Sequence, residues 1–227
     1  GYQVSDKFSI GLAVNISYAM FDMKQFVAED VNGDQIPELF QFEEESTGLG
    51  FSATLGLQYK FSEKLQAGAM FRLASKVSMS GTAKNPLFPA LPDLTGMGLP
   101  VMPGPGESDF DRDVTWPMGF AGGLAYMPTD CLTLTFDVQY TQWSELDKLV
   151  AEYDDAYWSA ALSSAGEDEF ILDWDDAIMI RVGGEYKVSP ATALRFGYYY
   201  DPAPAPDETL NVLFPSSTNH VGTIGVG

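Results

Sequence analysis

Positive charge, cysteine and histidine are all scarce in this chain. It carries 12 Lys and Arg against 32 Asp and Glu, a formal net charge of −20. This balance argues against a nucleic-acid partner, because phosphate contacts require clustered Lys and Arg. Cys131 is the only cysteine, so neither an intrachain disulfide nor a cysteine metal cluster can form. His220 is the only histidine, which excludes a metal site built from several histidines, and we identify no Ser-His-Asp set around it. We therefore expect a protein that is not an enzyme.

Long apolar runs are missing as well. No stretch of about 18 apolar residues occurs, which argues against an ordinary transmembrane helix. The first residues have neither the basic start nor the apolar centre of a secretory signal peptide. The composition is not that of a disordered chain, because 45% of the residues are hydrophobic and 13% are aromatic. We expect the apolar residues to lie in strands.

Alternation with a period of two residues dominates the sequence. From Phe8 to Met20 every second residue is large and apolar, and the residues between them are small or polar. The pattern predicts antiparallel strands at 4–22, 47–60, 64–80, 113–127, 130–144, 171–188, 191–201 and 217–227. Most of these segments reach the roughly 9–11 residues that a tilted membrane strand requires. Their connections alternate between short turns and long segments at 23–46, 81–112, 145–170 and 202–216, as in an outer-membrane β-barrel.

Charged residues in the interiors of these segments indicate which face meets lipid. All of them fall on the small or polar parity, and we predict them as charges of a polar lumen: Arg72, Lys76, Asp137, Arg181, Glu185 and Arg195. A Lys or Arg that faced lipid at mid-membrane would cost about 2–4 kcal/mol. The six charges can form a paired ladder along the wall, or they can steer a carboxylate, and the sequence leaves both open.

Three stretches in the second half resemble a known family. They are Leu124–Pro128 with Gln139–Leu146, Trp174–Ala177 with Arg181–Tyr186, and Leu194–Asp201 with the proline-rich segment that follows. In this order they are similar to the FadL-type long-chain fatty-acid transporters, whose relatives import toluene and other hydrocarbons. Phe71–Val77 also resembles one of the strands of that family.

The resemblance implies a fourteen-stranded transmembrane barrel with an N-terminal plug. We therefore interpret residues 1–227 as one partial barrel domain of about eight strands, without the plug, the first strands and the last strands. It also implies passive uptake of a hydrophobic small molecule, most simply a long-chain fatty acid, by a monomer in the bacterial outer membrane. Lipid and lipopolysaccharide would be its other partners. A hydrocarbon transporter, or a structural or adhesive barrel without transport, is the alternative.

The segment 81–112 is unusually apolar for a long loop, because large apolar residues alternate with prolines. The family resemblance implies that such a loop captures the ligand from outside, with these residues as its groove: Leu87, Phe88, Leu91, Leu94, Met97, Leu99, Val101 and Met102. The alternative is that they pack the loop against its neighbours, and both can hold together.

The segment 30–38 resembles a calcium-binding loop. Side chains of Asp30, Asn32, Asp34 and Glu38 and the carbonyl of Ile36 follow the usual alternating spacing. The glycine expected at Gln35 is displaced to Gly33, and a solvated Asn-Gly turn is the alternative. A structural calcium ion here is the one cofactor that the sequence suggests.

Two further features concern the loops. Apolar residues at helical spacing predict a short amphipathic helix within Leu146–Leu162, packed over the barrel mouth or in contact with ligand. The acidic runs Glu43–Glu45 and Glu167–Glu169 are predicted as solvated surface, or as a calcium-mediated contact with lipopolysaccharide.

Overall fold

The computed structural model describes residues 1–31, 35–98 and 101–227, and most of them lie in antiparallel strands. The strands are β1 (Tyr2–Gln3), β2 (Phe8–Glu29), β3 (Glu38–Ser62), β4 (Leu65–Arg72), β5 (Ser75–Lys84), β6 (Glu107–Trp116), β7 (Gly119–Thr129), β8 (Leu132–Thr141), β9 (Lys148–Val150), β10 (Glu152–Tyr153), β11 (Glu169–Ile171), β12 (Ala177–Ser189), β13 (Thr192–Asp201) and β14 (Asn219–Val226). The helices are α1 (Leu87–Ala90) and α2 (Ala156–Ala165), with single 3-10 turns at Thr95–Met97 and Trp143–Glu145. Among the described residues, none of the helices is long and apolar enough to cross a membrane.

The long strands form one curved antiparallel wall in which sequence neighbours are also neighbours in space. β4 and β5 together make one row of this wall, and β7 and β6 make the next. The rows then follow the order β2, β3, β4/β5, β7/β6, β8, β12, β13 and β14. Within the described residues this gives the eight predicted rows of an open barrel segment. We call the end with the short connections the turn end, and the opposite end the loop end.

Near the turn end the two faces of the wall differ as the alternation predicts. On the outer face Leu12, Val14 and Ile16 are each 69–71% exposed, and apolar residues of the other rows continue this belt. The inner face carries small or polar residues in matching register, such as Gln58, Gly123 and Asp137. An exposed apolar belt of this extent is stable where lipid surrounds it.

The prediction of a long loop at 23–46 is wrong, because most of these residues belong to β2 and β3. β2 and β3 continue as one hairpin from Phe8 paired with Tyr59 to Glu29 paired with Glu38. Beyond Met20 the apolar residues change parity: Phe21 and Met23 lie on the inner face, whereas Asp22 and Lys24 lie on the outer face. The period of two persists but its apolar phase moves by one residue, and this made the segment resemble an irregular loop.

A β-bulge divides the predicted strand 64–80. Thr54 of β3 pairs with Arg72, but Gly50 pairs with Val77, so β3 advances four residues while its neighbour advances five. The extra residue reverses the faces, as a bulge does. The neighbouring row breaks at the same level, where Pro117 cannot donate to the ladder.

The hydrophobic core lies on the inner face at the loop end, beneath a cap formed by residues 85–98, 101–106 and 142–176. One cluster joins apolar wall residues such as Met23, Phe42 and Phe110 to Phe88 and Trp158 of the cap. A second, smaller cluster contains Leu146, Leu149 and Leu172. The loop end is therefore apolar inside and polar outside, the reverse of the turn end.

The helix predicted over Leu146–Leu162 is shorter than expected: it begins at Ala156 and continues to Ala165. Asp155 caps it by accepting hydrogen bonds from the backbone N–H groups of Tyr157 and Trp158, at 2.9 and 3.2 Å. The helix ends at Gly166, whose φ of 72° is a left-handed conformation that favours glycine. Upstream of Asp155 the chain instead forms β9 and β10, which pair with β11 and β6.

Candidate ligand-binding site

The cap is fixed by aromatic packing between helix α2 and the loop residues 85–98 and 101–106. The ring of Phe88 packs edge-on against Trp158 and Tyr157, with centroids 4.9 and 5.2 Å apart. The indole Nε1 of Trp158 donates to the carbonyl of Pro105 at 2.8 Å, and the Tyr157 hydroxyl donates to the carbonyl of Met102 at 2.8 Å. Trp158 is fully buried, so this contact anchors the loop over the inner face.

The predicted capture residues divide between the interior and the surface of the cap. Phe88 is buried in the core cluster, and Leu91 packs against it, which agrees with the packing alternative for these two. Leu87, Leu94 and Val101 are half-buried, whereas Met97 and Met102 are exposed. Leu99 lies outside the described residues. The loop itself is shorter than predicted, because 81–84 and 107–112 continue β5 and β6.

Under the cap lies an apolar cavity of about 210 Å³, which we call the loop-end cavity. Its lining comes from strands β2, β5 and β6 and from the covering loops: Ala19, Met20, Phe21, Met79, Arg112, Val114, Trp116, Trp143, Leu146, Leu149, Leu172, Trp174 and Phe214. Sequence reasoning missed the wall contribution. The alternation that puts Lys76 in the lumen puts Met79 on the lipid face of the same predicted strand, and Phe21 falls at the end of the predicted strand 4–22. The shift of the apolar residues to the other parity after Met20 was the signal in the sequence that could have indicated this apolar inner surface.

A buried ion pair borders this cavity. The Glu44 carboxylate accepts hydrogen bonds from Nη2 of Arg112 at 3.0 and 3.4 Å, and both side chains are at most 5% exposed. The Tyr153 hydroxyl donates to Glu44 at 2.7 Å, and burial together with the Glu44 charge raises the pKa of the Tyr153 phenol far above its usual value. The guanidinium also lies over the rings of Phe21 and Phe110, at 5.4 and 5.2 Å. The prediction of Glu43–Glu45 as solvated surface is therefore wrong for Glu44, which is buried.

Five of the six predicted lumen charges lie on the inner face. The register places Arg72, Asp137, Arg181, Glu185 and Arg195 there. Arg181 Nε donates to Asp137 at 2.5 Å, and Arg195 Nε donates to Glu185 at 2.7 Å, so four of them form two ion pairs. Arg72 lines a separate inner-face cavity of about 670 Å³ next to the bulge. The pairs agree with a neutralised ladder along the wall.

Lys76 is the exception, and its prediction as a lumen charge is wrong. It follows the bulge, so it lies on the outer face, where its Nζ is 2.6 Å from Asp113. Further along β5 and β6, Ser80 donates to Asp111 at 2.5 Å and Thr82 donates to Asp109 at 2.9 Å. This polar outer stripe shows that the loop end of these strands does not carry the apolar belt.

The predicted calcium loop is described only in part, since Asn32 and Asp34 lie outside the described residues. The Asp30 carboxylate accepts a hydrogen bond from the Gln35 backbone N–H at 2.8 Å, and Glu38 accepts one from the Val31 N–H at 3.2 Å. Gln35 adopts a φ of 68°, the left-handed conformation for which a calcium loop employs glycine. Within residues 1–31, 35–98 and 101–227, no group of three or more acidic, histidine or cysteine side chains is placed to hold a metal.

The chemistry that this arrangement supports is binding of apolar molecules. The loop-end cavity offers aromatic and aliphatic surface of the kind that encloses hydrophobic ligands, with only a few polar groups. The charged groups around it are paired with one another, so they stabilise the cap rather than present a reactive group.

Known proteins resemble the chain over its whole length. The family model "Outer membrane protein transport protein (OMPP1/FadL/TodX)" matches residues 1–227. Outer membrane protein P1 of Haemophilus influenzae is 23% identical over 226 residues, which cover 89% of this chain and 45% of that protein. The chain thus spans less than half the length of this relative.

Solved structures share the fold. A crystal structure of a Pseudomonas aeruginosa FadL homologue matches with a TM-score of 0.75 and 17% identity, over 99% of this chain and 53% of the other. The Pseudomonas putida toluene transporter TodX matches with a TM-score of 0.64 and 16% identity, over 99% and 57%. The wall described above is therefore a segment of a barrel of this type, as predicted.

Proposed function

Because the chain belongs to the family of outer membrane transport proteins that includes OMPP1, FadL and TodX, we propose that it forms part of a channel for passive uptake of hydrophobic small molecules. The observation that carries this proposal is the loop-end cavity, an apolar space on the inner face of a wall whose inner face is polar towards the turn end. A molecule that leaves water at the loop end gains about 25 cal/mol for each Å² of apolar surface that it buries there. No energy source is needed for such a step.

Long-chain fatty acids are the first candidate ligands, and aromatic or aliphatic hydrocarbons are the second. A fatty acid is supported by the loop-end cavity and by the inner-face cavity next to the bulge, which share Trp116 and Trp143 in their linings, since an acyl chain needs a long apolar contact. A hydrocarbon is supported by two solved structures that share this fold, a toluene transporter and a monoaromatic hydrocarbon channel. The exposed side chains of Met97 and Met102 would make the first contact with either ligand.

The rest of the channel would come from parts of the protein beyond this segment. We propose that further strands close the wall into a barrel and that a plug fills its centre, with one copy of the protein acting alone. The apolar outer belt and the family of the chain support a position in the bacterial outer membrane, with lipid and lipopolysaccharide around it.

Cavity-filling substitutions test the proposal. The experiment measures uptake of a labelled long-chain fatty acid and of labelled toluene into liposomes that contain the complete natural protein. Ala19→Phe would fill part of the loop-end cavity, whereas Ala13→Phe adds the same bulk on the same strand and face outside its lining. We expect Ala19→Phe to slow uptake and Ala13→Phe to leave it close to the unaltered rate. Equal uptake by all three proteins would place the route elsewhere, and no uptake above empty liposomes would favour a structural or adhesive barrel.

A further inference from the structure

Arg72 differs from the other arginines of the inner face. Arg112, Arg181 and Arg195 each pair with a carboxylate, whereas Arg72 has neither an ion pair nor a hydrogen bond to any residue that the structure describes. Its side chain is half-buried and lines the inner-face cavity of about 670 Å³ next to the bulge, which we call the mid-wall cavity. Because a charge that is removed from water is ordinarily paired, an unpaired guanidinium in a cavity indicates a site for an anion.

The guanidinium of Arg72 extends from β4 across β7. Its Nη2 lies 3.7 Å from the position that a Cβ at Gly119 would occupy, and Oγ1 of Thr141 on β8 lies at the same distance from that position. A larger residue than glycine would take up this space. On the other side, Thr54 of β3 lies directly opposite Arg72. The cation is therefore flanked by rows that carry hydroxyl groups.

Two of the hydroxyl groups in the mid-wall cavity have hydrogens to donate. Nδ2 of Asn15 donates to Oγ of Ser52 at 3.3 Å and to Oγ1 of Thr54 at 3.2 Å, and neither hydroxyl donates to another described residue. Both side chains are half-buried and line the mid-wall cavity. Since a hydroxyl can accept and donate at once, each of them is able to donate to a ligand.

Negative charge is scarce around Arg72. Among the described residues, no acidic side chain lines the mid-wall cavity. Asp137 lies four residues from Thr141 along β8, a separation of about 13 Å in a strand. It is also paired with Arg181 at 2.5 Å. An anion beside Arg72 would therefore be attracted by an unpaired cation and meet little repulsion.

The mid-wall cavity is also continuous with apolar surface. It shares Trp116 and Trp143 with the lining of the loop-end cavity, so an apolar chain that starts in one can extend into the other. Its volume of about 670 Å³ falls within the roughly 300–1,000 Å³ of sites that enclose a small molecule. The two cavities together suit a molecule with one charged end and a long apolar chain.

We infer that Arg72 binds the ionised carboxylate of such a molecule, with the hydroxyls of Ser52 and Thr54 as further donors. The apolar chain would run past Trp116 and Trp143 towards the loop end. A carboxylate suits this position because the planar guanidinium presents a fork of donors that matches its two oxygens. This inference rests on the proposed function and names the group by which its ligand is held.

Three probes with ten-carbon chains test the charge preference: decanoate, decanol and decyltrimethylammonium. Each competes with the fluorescent hydrophobic dye N-phenylnaphthylamine for the complete natural protein in lipid nanodiscs, at about pH 8, where a carboxyl group is ionised. Empty nanodiscs give the background. We expect decanoate to compete most strongly and decyltrimethylammonium least. The net charge of this chain is −20, so general electrostatic attraction alone would give the opposite order.

Arg72→Gln then removes the cation and breaks no ion pair of the described residues. We expect it to weaken decanoate binding by about tenfold, the lower end of the effect of a hydrogen bond to a charged group, and to leave decanol binding unchanged. Decanol binding also reports whether the variant is folded. Arg72→Lys keeps the charge and should retain most of the preference for decanoate. Arg195→Gln is the matched control, because it removes the same charge from the inner face outside the lining of both cavities. It should leave decanoate binding close to its natural value.

Two results would overturn the inference while the proposed function stands. Decanol could compete at least as well as decanoate, which would show that the site does not select an anion. Arg72→Gln and Arg195→Gln could also weaken decanoate binding equally, which would show that only the total charge of the inner face matters. If none of the three probes displaced the dye, the proposed function and the inference would fail together.

Discussion

Replacing Glu44 by alanine should destabilise the loop end by about 3–5 kcal/mol, the cost of leaving one member of a buried ion pair without its counter-charge. Arg112 and Glu44 are at most 5% exposed, so water cannot take the place of the missing carboxylate. Tyr153 would also lose the acceptor of its hydrogen bond, and the buried O–H left without a partner adds about 1–3 kcal/mol. The loss should be confined to the cap and to the neighbouring ends of β3 and β6.

Hydrogen–deuterium exchange of the complete natural protein in nanodiscs measures this effect region by region. Glu43→Ala is the matched control, because Glu43 is the adjacent residue and pairs with Lys24 at 3.4 Å on the outer face. Such a partly exposed pair contributes about 0–1 kcal/mol. Replacing the pair together, as Glu44→Leu with Arg112→Met, should restore most of the lost protection because no charge remains buried. Equal effects of Glu44→Ala and Glu43→Ala would refute the assignment of Glu44 to the interior.

Three further predictions concern the faces of the wall, the cap helix and pH. A cysteine introduced as Lys76→Cys should react with a membrane-impermeant maleimide added outside intact cells faster than Arg72→Cys does, because the bulge places the two residues on opposite faces; equal rates would contradict the bulge. Asp155→Ala should lower the stability of the cap by about 0.5–2 kcal/mol, as loss of an N-cap does, whereas Asp154→Ala should have a smaller effect in the same exchange experiment. Folding raises the pKa of Tyr153 above its ordinary value of about 10. The protonated phenol therefore contributes its full share of the folding stability below about pH 10, and this share is lost as the pH rises further towards the pKa of the folded state. Tyr153→Phe should remove this alkaline loss, and an unchanged pH profile would count against the buried phenol.

The alternation of apolar and polar residues was sufficient to predict the wall. Eight strand rows, their antiparallel order and the short turns all follow from a period of two residues, because each row must present one face to lipid. Asp137 with Arg181, and Glu185 with Arg195, could be assigned to the inner face for the same reason. Their pairing also follows from the register, since each partner lies directly opposite the other on adjacent strands.

The bulge and the loop end could not be predicted in this way. One extra residue at 73–74 reverses every side chain beyond it, and no pattern within β5 alone shows where that residue lies. This is why Lys76 and Met79 were assigned to the wrong faces. The cavity joins Phe21, Trp143 and Phe214, which are far apart in sequence and meet only because the cap folds over the wall. The burial of Glu44 could not be predicted for a related reason, because its partners Arg112 and Tyr153 come from strands that are distant in sequence.

Photocrosslinking tests most directly whether hydrophobic molecules enter through the loop-end cavity. A fatty acid with a diazirine on its chain is added to the complete natural protein in liposomes, and the adducts are located by mass spectrometry. We predict adducts on the peptides that contain Trp143, Leu149 and Trp174, and fewer of them in the Ala19→Phe variant. Adducts confined to the outer belt, on peptides with Leu12 or Leu124, with no change in Ala19→Phe, would contradict the account.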